Sequence, residues 1–197
     1  ILWDSAGNFI RAMTGHNDII YGAFQLKNGN LLSWDETTLH FWDTGGNPIM
    51  TIKSDKKYFR PIELRDGRIL LCGFDIRFYD ASGNLLHTTH KDEMGWSNAI
   101  ELQNGHILSM GYKKLGVWDS TGMLIREITI HEGWVRAIEL QNGHIFCWGL
   151  DKELSFWRED GSLITKMVAH QEFIRQVFPL KDGRIISVSQ SSSESES

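Results

Sequence analysis

Several histidines in this 197-residue chain are followed, at similar spacing, by a nucleophilic side chain and an acid. One set is His16, Ser33 and Asp35, and another is His131, Cys147 and Asp151. A hydrolase needs such a trio, because a base must activate the Ser or Cys and an acid must orient the base. An active site is expected once, however, whereas these residue types recur in register. Their repetition favours a structural role, and we expect no catalytic residue.

The spacing of the histidines and cysteines does not suit a metal ion. His106 and His144 occupy the same position in two copies of the hexapeptide ELQNGH. If the copies lie on adjacent sheets, these residues are separated by ~10 Å, whereas two ligands of one zinc each lie ~2.1 Å from it. The chain has no CxxC or HExxH motif and no glycine-rich phosphate loop leading into a helix. We therefore expect neither metal nor cofactor.

Composition narrows the possible partners and the compartment. Apolar residues make up 41% and charged residues 23%, as in a globular protein. The net charge of −5 argues against nucleic acid and anionic membranes, which require a basic surface, but not against a protein or peptide. Cys72 and Cys147 are too few for a disulfide framework, which favours a reducing compartment, and we expect a cytoplasmic location.

Three sequence markers recur with a period of 37 to 41 residues. An aromatic–acidic pair ends at residues 4, 43, 80 and 119, with a degenerate Trp-Arg copy ending at 158. An Asn-Gly or Asp-Gly pair ends at residues 29, 67, 105, 143 and 183. Histidines at 16, 90, 131 and 170 precede four of these glycines by 12 to 15 residues. One period shared by three markers predicts a repeated folding unit.

Each repeat has the pattern of β-structure. Asn-Gly and Asp-Gly between apolar runs are strong hairpin signals, because both central residues of a type I′ turn need positive φ. Four short apolar runs separated by polar turns fit into each repeat, and no stretch keeps a helical period over three turns. The pattern predicts four strands for about 39 residues.

Four-stranded units of this length resemble the WD-repeat β-propeller family. The resemblance includes Gly15-His16 and the Trp-Asp pairs at 3–4, 42–43 and 118–119, while Tyr79 and Arg158 depart from it, as in diverged, bacterial-like WD repeats. It implies an all-β propeller of about five four-stranded antiparallel blades. The expected domain is residues 1–188, with repeats at about 5–43, 44–80, 81–119, 120–158 and 159–188, followed by a disordered Ser/Glu tail at 189–197.

The last repeat lacks its third strand, and we expect residues 1–4 to supply it. A propeller removes its free edges by closing the ring, often with both termini in one blade. A chain closed in this way is expected to be monomeric. In the alternative, the five repeats are part of a longer, open array.

The resemblance also implies roles for the recurring side chains. In such propellers a histidine, a hydroxyl, an acid and a tryptophan form a hydrogen-bond network that holds one blade together. Carried onto this sequence, the network includes His16, Ser33 and Trp42; His90, Ser109 and Trp118; and His131, Asp151 and Trp157, with Cys147 at the hydroxyl position.

The segment before the first strand of each repeat lies on the top face in the resembled family, where partners dock. Aromatic residues and arginines there match the composition of interface hot spots. The candidates for partner binding are Tyr58, Arg60, Trp96, Trp134, Arg136 and Arg175, although the two tryptophans could simply pack inside the blades. We expect a non-catalytic scaffold that binds a protein or peptide. The alternatives are an enzyme or ligand-binding propeller with its site at the central channel, or one segment of a larger regulatory protein.

Overall fold

The computed structural model describes residues 1–53, 60–89 and 95–189, which form strands and turns. No helix in these ranges could cross a membrane. The strands are β1 (Leu2–Trp3), β2 (Phe9–Arg11), β3 (Gly22–Gln25), β4 (Leu31–Trp34), β5 (Thr38–Trp42), β6 (Pro48–Lys53), β7 (Ile62–Glu63), β8 (Ile69–Cys72), β9 (Ile76–Tyr79), β10 (Leu85–Thr88), β11 (Trp96–Glu101), β12 (Ile107–Trp118), β13 (Leu124–Trp134), β14 (Arg136–Glu139), β15 (Ile145–Trp148), β16 (Glu153–Trp157), β17 (Leu163–Val168), β18 (Ile174–Pro179) and β19 (Ile185–Ser189).

Three repeats form the predicted antiparallel sheet of four strands in chain order, β3–β6, β7–β10 and β14–β17. Their register repeats as well: Leu31 lies opposite Trp42, and Ile145 lies opposite Trp157. Thus the aromatic residue of each third strand faces the first residue of the second strand. The expectation of an all-β chain built from four-stranded antiparallel units is confirmed for these sheets.

Two of the three sequence markers of the repeat form turns. In the first hairpin of β3–β6, Gly29 has a φ of 91° and its N–H donates to the carbonyl oxygen of Leu26 at 2.8 Å. The acid of the aromatic–acidic pair begins the last hairpin, where Asp43 Oδ1 accepts from the N–H groups of Gly45 and Asn47. This is an Asx turn, in which a carboxylate replaces a backbone acceptor. The recurring acids are therefore turn residues.

The repeat between residues 96 and 134 forms a sheet of three continuous strands, β11–β12–β13. A straight strand would separate residues 109 and 118 by about 30 Å, yet Trp118 Nε1 donates to Ser109 Oγ at 2.8 Å. Strand β12 therefore turns back on itself, and it does so at Lys113, whose φ is 62°. Residues of β12 on both sides of this turn pair with β13, so the predicted second and third strands of this repeat form one continuous strand.

The chain divides into two compact units, Ile1–Asn98 and Ala99–Ser197. In the first unit, a buried cluster includes Leu32, Phe41 and Ile69 from the sheets β3–β6 and β7–β10. In the second, a buried cluster includes Leu108, Val117 and Ile145 from β12 and β15. In each unit, the apolar faces of neighbouring sheets pack against each other.

A glycine in the last turn of a sheet packs closely against the sheet that precedes it in the chain. A Cβ atom at Gly83 would lie 2.8 Å from Met50 Sδ and 3.1 Å from the Phe41 ring. Equivalent contacts occur at Gly46, beside Arg11 and Met13, and at Gly161, beside Arg126 and Ile128. Each of these glycines also has a positive φ, between 77° and 90°.

The two ends of the described chain form separate sheets of two strands, β1–β2 and β18–β19. The expectation that residues 1–4 complete the last blade stays a prediction. The apolar side chains of Trp3, Phe9, Ile186 and Val188 are exposed on these two sheets. The tail predicted at 189–197 begins within β19, and residues 190–197 lie outside the described part.

Candidate functional site

The first set of candidate residues forms a continuous hydrogen-bonded cluster. His16 Nδ1 donates to Asp35 Oδ2 at 2.7 Å, and its Nε2 lies 2.7 Å from Ser33 Oγ. Trp42 Nε1 donates to the same Ser33 hydroxyl at 2.9 Å. Ser33 and Asp35 are only 5% and 1% exposed. The geometry is that of a Ser–His–Asp trio, but the serine is enclosed and already receives an indole N–H, so a substrate could not reach it.

Burial and hydrogen bonding act in opposite directions on the carboxyl of Asp35. Burial alone would raise its pKa, but hydrogen bonds from Thr38 Oγ1, from His16 and from two backbone N–H groups hold the pKa well below its ordinary value. Asp35 therefore stays ionised and fixes the orientation of the His16 ring.

His40 belongs to this cluster. Sequence analysis missed it because it is not part of any repeat marker. Its ring lies edge-on to His16 at 4.2 Å and stacks on Trp42 at 5.3 Å. Its Nδ1 lies 3.0 Å from Thr51 Oγ1, while the buried Nε2 has no partner among the described residues. Burial and then the charge of His16 lower the pKa of His40, because both disfavour the imidazolium.

The other two expected networks are brought together only in part. Trp118 Nε1 donates to Ser109 Oγ, whereas His90 lies outside the described residues. The side chain of His131 is also outside the described part, and Asp151 accepts from the backbone N–H of Glu132 at 2.9 Å.

We expected Cys147 to stand in for the serine hydroxyl in the network of Trp157, but the indole N–H of Trp157 has a different acceptor. Trp157 Nε1 donates at 2.7 Å to Ser155 Oγ, which lies opposite Cys147 on the neighbouring strand. A thiol is a weak acceptor, so the hydroxyl comes from β16 instead. Burial raises the pKa of the Cys147 thiol, which makes it a poor nucleophile. A further His–Ser pair that we did not predict joins His170 Nε2 and Ser187 Oγ at 2.7 Å.

Of the six residues predicted to contact a partner, three line one cavity. Trp134, Arg136 and Arg175 surround a space of about 560 Å³ in the second unit, together with Trp148, Gly149, Leu150, Phe173, Ile174 and Gln176. Trp134 is 38% exposed and its ring meets Tyr112 edge-on at 5.9 Å. Arg136 Nη1 donates to the carbonyl oxygen of Arg175 at 3.3 Å, which links β14 to the next sheet.

The remaining predicted contact residues are not part of this cavity. Trp96 is only 1% exposed and its backbone N–H donates to Gly73 O, so its expected role in partner binding is corrected: it is enclosed within the fold. Arg60 is exposed, and Tyr58 lies outside the described residues. Sequence analysis missed Trp148, which ends β15, and Leu150, which comes after it, because neither carries a repeat marker.

The described residues contain no group of three or more His, Cys, Asp or Glu side chains arranged to hold a metal ion.

Known structures share this fold at low sequence identity. The WD40 β-propeller domain of Doa1 matches 90% of this chain with 21% identity and a TM-score of 0.68, and the chain covers 62% of it. A protein of unknown function from Bacteroides caccae matches 90% with 15% identity and a TM-score of 0.61, with 73% of that structure covered. The computationally designed protein Ika8 matches 93% with 18% identity and a TM-score of 0.74, with 59% of it covered.

These likenesses support a propeller-like fold. The chain spans less than two thirds of the length of the Doa1 domain and of Ika8. No family model matches the sequence, and no curated protein matches it.

The buried cluster predicts that Ser33→Ala lowers the free energy of unfolding by about 2–4 kcal/mol. The substitution removes the hydroxyl that is the hydrogen-bond partner of both the Trp42 indole N–H and His16 Nε2. Ser187→Ala is the matched control, since it breaks the same type of His–Ser pair at a less buried position. It should cost about 1 kcal/mol or less. Urea unfolding followed by tryptophan fluorescence checks both values, and equal losses would contradict a special role for Ser33.

The lowered pKa of His40 predicts a fall in stability between pH 7 and pH 5. Below about 6.5 the unfolded chain takes up a proton at His40 that the folded chain resists, so the free energy of unfolding decreases as pH falls. We expect His40→Gln to reduce this slope, measured by urea unfolding at several pH values. His87→Gln, at an exposed histidine, controls for loss of a histidine elsewhere. An unchanged slope in His40→Gln would rule out this origin.

Proposed function

We propose that this chain is a non-catalytic, WD-repeat-like recognition module that binds a peptide segment of a partner protein at the cavity around Trp134, Arg136 and Arg175. The observation that carries the proposal is that these three residues, which were selected from the sequence by repeat position and residue type, line one cavity. Aromatic and arginine side chains around a concave site are typical of interface hot spots.

Exposed apolar surface supports a protein partner. Leu150 and Phe173 line the same cavity, and more than half of each side chain is accessible to solvent. Exposed apolar residues that gather around a cavity mark interaction sites, whereas scattered ones need no explanation. The enclosed Ser33 and the high pKa of the buried cysteines speak against a hydrolase at the clusters that sequence analysis considered.

We also propose that the protein is located in the cytoplasm. Cys72 and Cys147 are both free and buried, as suits a reducing cytoplasm.

We further propose, from the repeat pattern, that residues 1–4 complete a fifth blade as its third strand, beside β19. The register of the other sheets would place Trp3 opposite Ile185, as Trp157 lies opposite Ile145. A Trp3→Cys/Ile185→Cys variant should then form a disulfide within one chain under mild oxidation, because directly opposed Cβ atoms lie about 4.5–5.5 Å apart. A Trp3→Cys/Lys181→Cys variant, whose second cysteine lies in the adjoining turn, should not form this disulfide.

Non-reducing electrophoresis and mass measurement distinguish the outcomes of this test. A disulfide only between two chains, or none at all, would count against closure within one chain and favour an open array.

The recognition proposal predicts that Trp134→Ala and Arg136→Ala each reduce the recovery of partner proteins several-fold when purified variants are used to capture them from a cell extract. Truncating a hot-spot residue removes much of the binding energy of an interface. Quantitative mass spectrometry of the captured proteins gives the measurement.

Met123→Ala provides the control, since it truncates an exposed apolar side chain on a turn that does not line the cavity. Melting curves of all three variants verify that they are folded. If the wild-type chain and the cavity variants recover the same proteins in equal amounts, the cavity is not the binding site.

A further inference from the structure

Two segments of twelve residues, 95–106 and 133–144, are nearly identical in sequence. Each begins with Gly-Trp and ends with AIELQNGH, and only the third and fourth residues differ. The differing residues are Ser97 and Asn98 in the first copy and Val135 and Arg136 in the second. The tryptophan of the first copy, Trp96, is 1% exposed, whereas Trp134 of the second copy is 38% exposed. The sequence therefore changes directly after the tryptophan whose burial changes.

The backbone of the second copy is shifted by one residue where it joins its sheet. In the first copy, the N–H of Trp96 donates to the carbonyl oxygen of Gly73 at 2.7 Å. The carbonyl oxygen at the corresponding place in the next repeat, on Gly111, accepts from Val135 at 3.1 Å. Because successive side chains of a strand lie on opposite faces, a shift of one residue exchanges the side chain that faces the core. Val135 thus takes the buried position, and Trp134 is turned outwards.

The burial of Val135 supports this exchange. Its side chain is 1% exposed and belongs to the buried cluster that includes Leu115 and Ile128. A valine side chain gains free energy by burial, whereas a buried serine hydroxyl costs free energy unless it is hydrogen-bonded. Valine therefore competes with the tryptophan for the buried position more strongly than Ser97 does in the first copy. Arg136 is exposed and does not compete for it.

The outward-facing indole is held by its neighbour on the opposite strand. Tyr112 lies opposite Trp134 in the β12–β13 pair, and the two rings meet edge-on at 5.9 Å. Tyr112 can pair there because β12 continues through the turn at Lys113. The contact keeps the Trp134 ring at the wall of the cavity that Arg136 also lines.

We propose that Val135 is a positioning residue of the recognition site: it fills the buried position beside Trp134 and thereby presents the indole to the cavity. A partner then meets an aromatic ring that is already in place, which lowers the entropic cost of binding. Trp96 represents the other arrangement, in which a nearly identical segment keeps its tryptophan enclosed. This inference rests on the proposed recognition function and adds to its site a residue that does not itself line the cavity.

Val135→Ser tests the proposal, because it gives the second segment the Gly-Trp-Ser sequence of the first. Accessibility of the indole is measured by NMR, from the broadening of its signals by a water-soluble gadolinium chelate. Loss of signals in Trp134→Phe and in Trp96→Phe assigns the two rings. In the wild-type chain we expect strong broadening for Trp134 and weak broadening for Trp96. In Val135→Ser, the broadening of the Trp134 signals should fall several-fold, to the level of Trp96.

Three further variants make the test specific. Val135→Ile is the matched control, since it keeps a branched apolar side chain at the buried position and should leave Trp134 accessible. Val135→Thr replaces one methyl group by a hydroxyl at similar volume, so it serves if Val135→Ser does not fold, and it should also protect Trp134. Arg136→Asn makes the other substitution between the two segments and should not alter the accessibility of Trp134.

Two NMR outcomes would overturn the inference. Equal broadening of the Trp134 signals in the wild-type chain and in the folded Val135→Ser or Val135→Thr variant would show that Val135 does not position the indole. Protection of Trp134 in Arg136→Asn, but not in the Val135 variants, would assign the role to the arginine.

Capture of partner proteins from a cell extract separates this inference from the recognition proposal. If Val135→Ser buries Trp134 and recovers as little partner as Trp134→Ala, both proposals are supported. If Val135→Ser recovers as much as the wild-type chain while Trp134→Ala does not, binding does not need the presented indole and the inference fails. Equal recovery by all three chains would refute the recognition proposal and leave only the effect of Val135 on the accessibility of Trp134.

Discussion

A buried indole N–H needs an acceptor, and the architecture of this chain depends on how that need is met. Trp42, Trp118 and Trp157 end the third strand of their repeats, and each donates to a serine hydroxyl within the same sheet. Since the indoles pack in the cores and cannot turn to water, the hydroxyl fixes each ring in one position. In the first of these repeats His16 and Asp35 extend this network, so the residue types of a catalytic trio help there to fix the indole in place.

Much of the fold could be predicted from the sequence because its signals are local. Asn-Gly and Asp-Gly turns and the acid that begins the last hairpin act over a few residues, and the structure contains them where the period places them. The exchange of Cys147 for Ser155 could not be predicted, since it depends on which residues lie opposite each other across two strands. The continuous β12 was missed for a similar reason: Lys113 adopts a positive φ that its residue type does not favour.

The candidate site shows the limit of reasoning from repeat position. Trp96 and Trp134 stand 38 residues apart in the same register, yet the first is enclosed and the second is accessible. Burial depends on what surrounds each side chain in space, and the period carries no such information. Trp148 ends β15 and Leu150 comes just after it, and none of the predicted contact residues lies on that strand, so only the folded chain brings them to the same cavity.

The contacts of Gly46, Gly83 and Gly161 give the packing a direction along the chain. In each case the turn of a sheet rests on residues that come earlier in the sequence, such as Phe41 and Met50 beneath Gly83. A sheet therefore finds part of its docking surface in polypeptide that the ribosome has already released. Synthesis from the N-terminus to the C-terminus then presents these surfaces in the order in which they are needed.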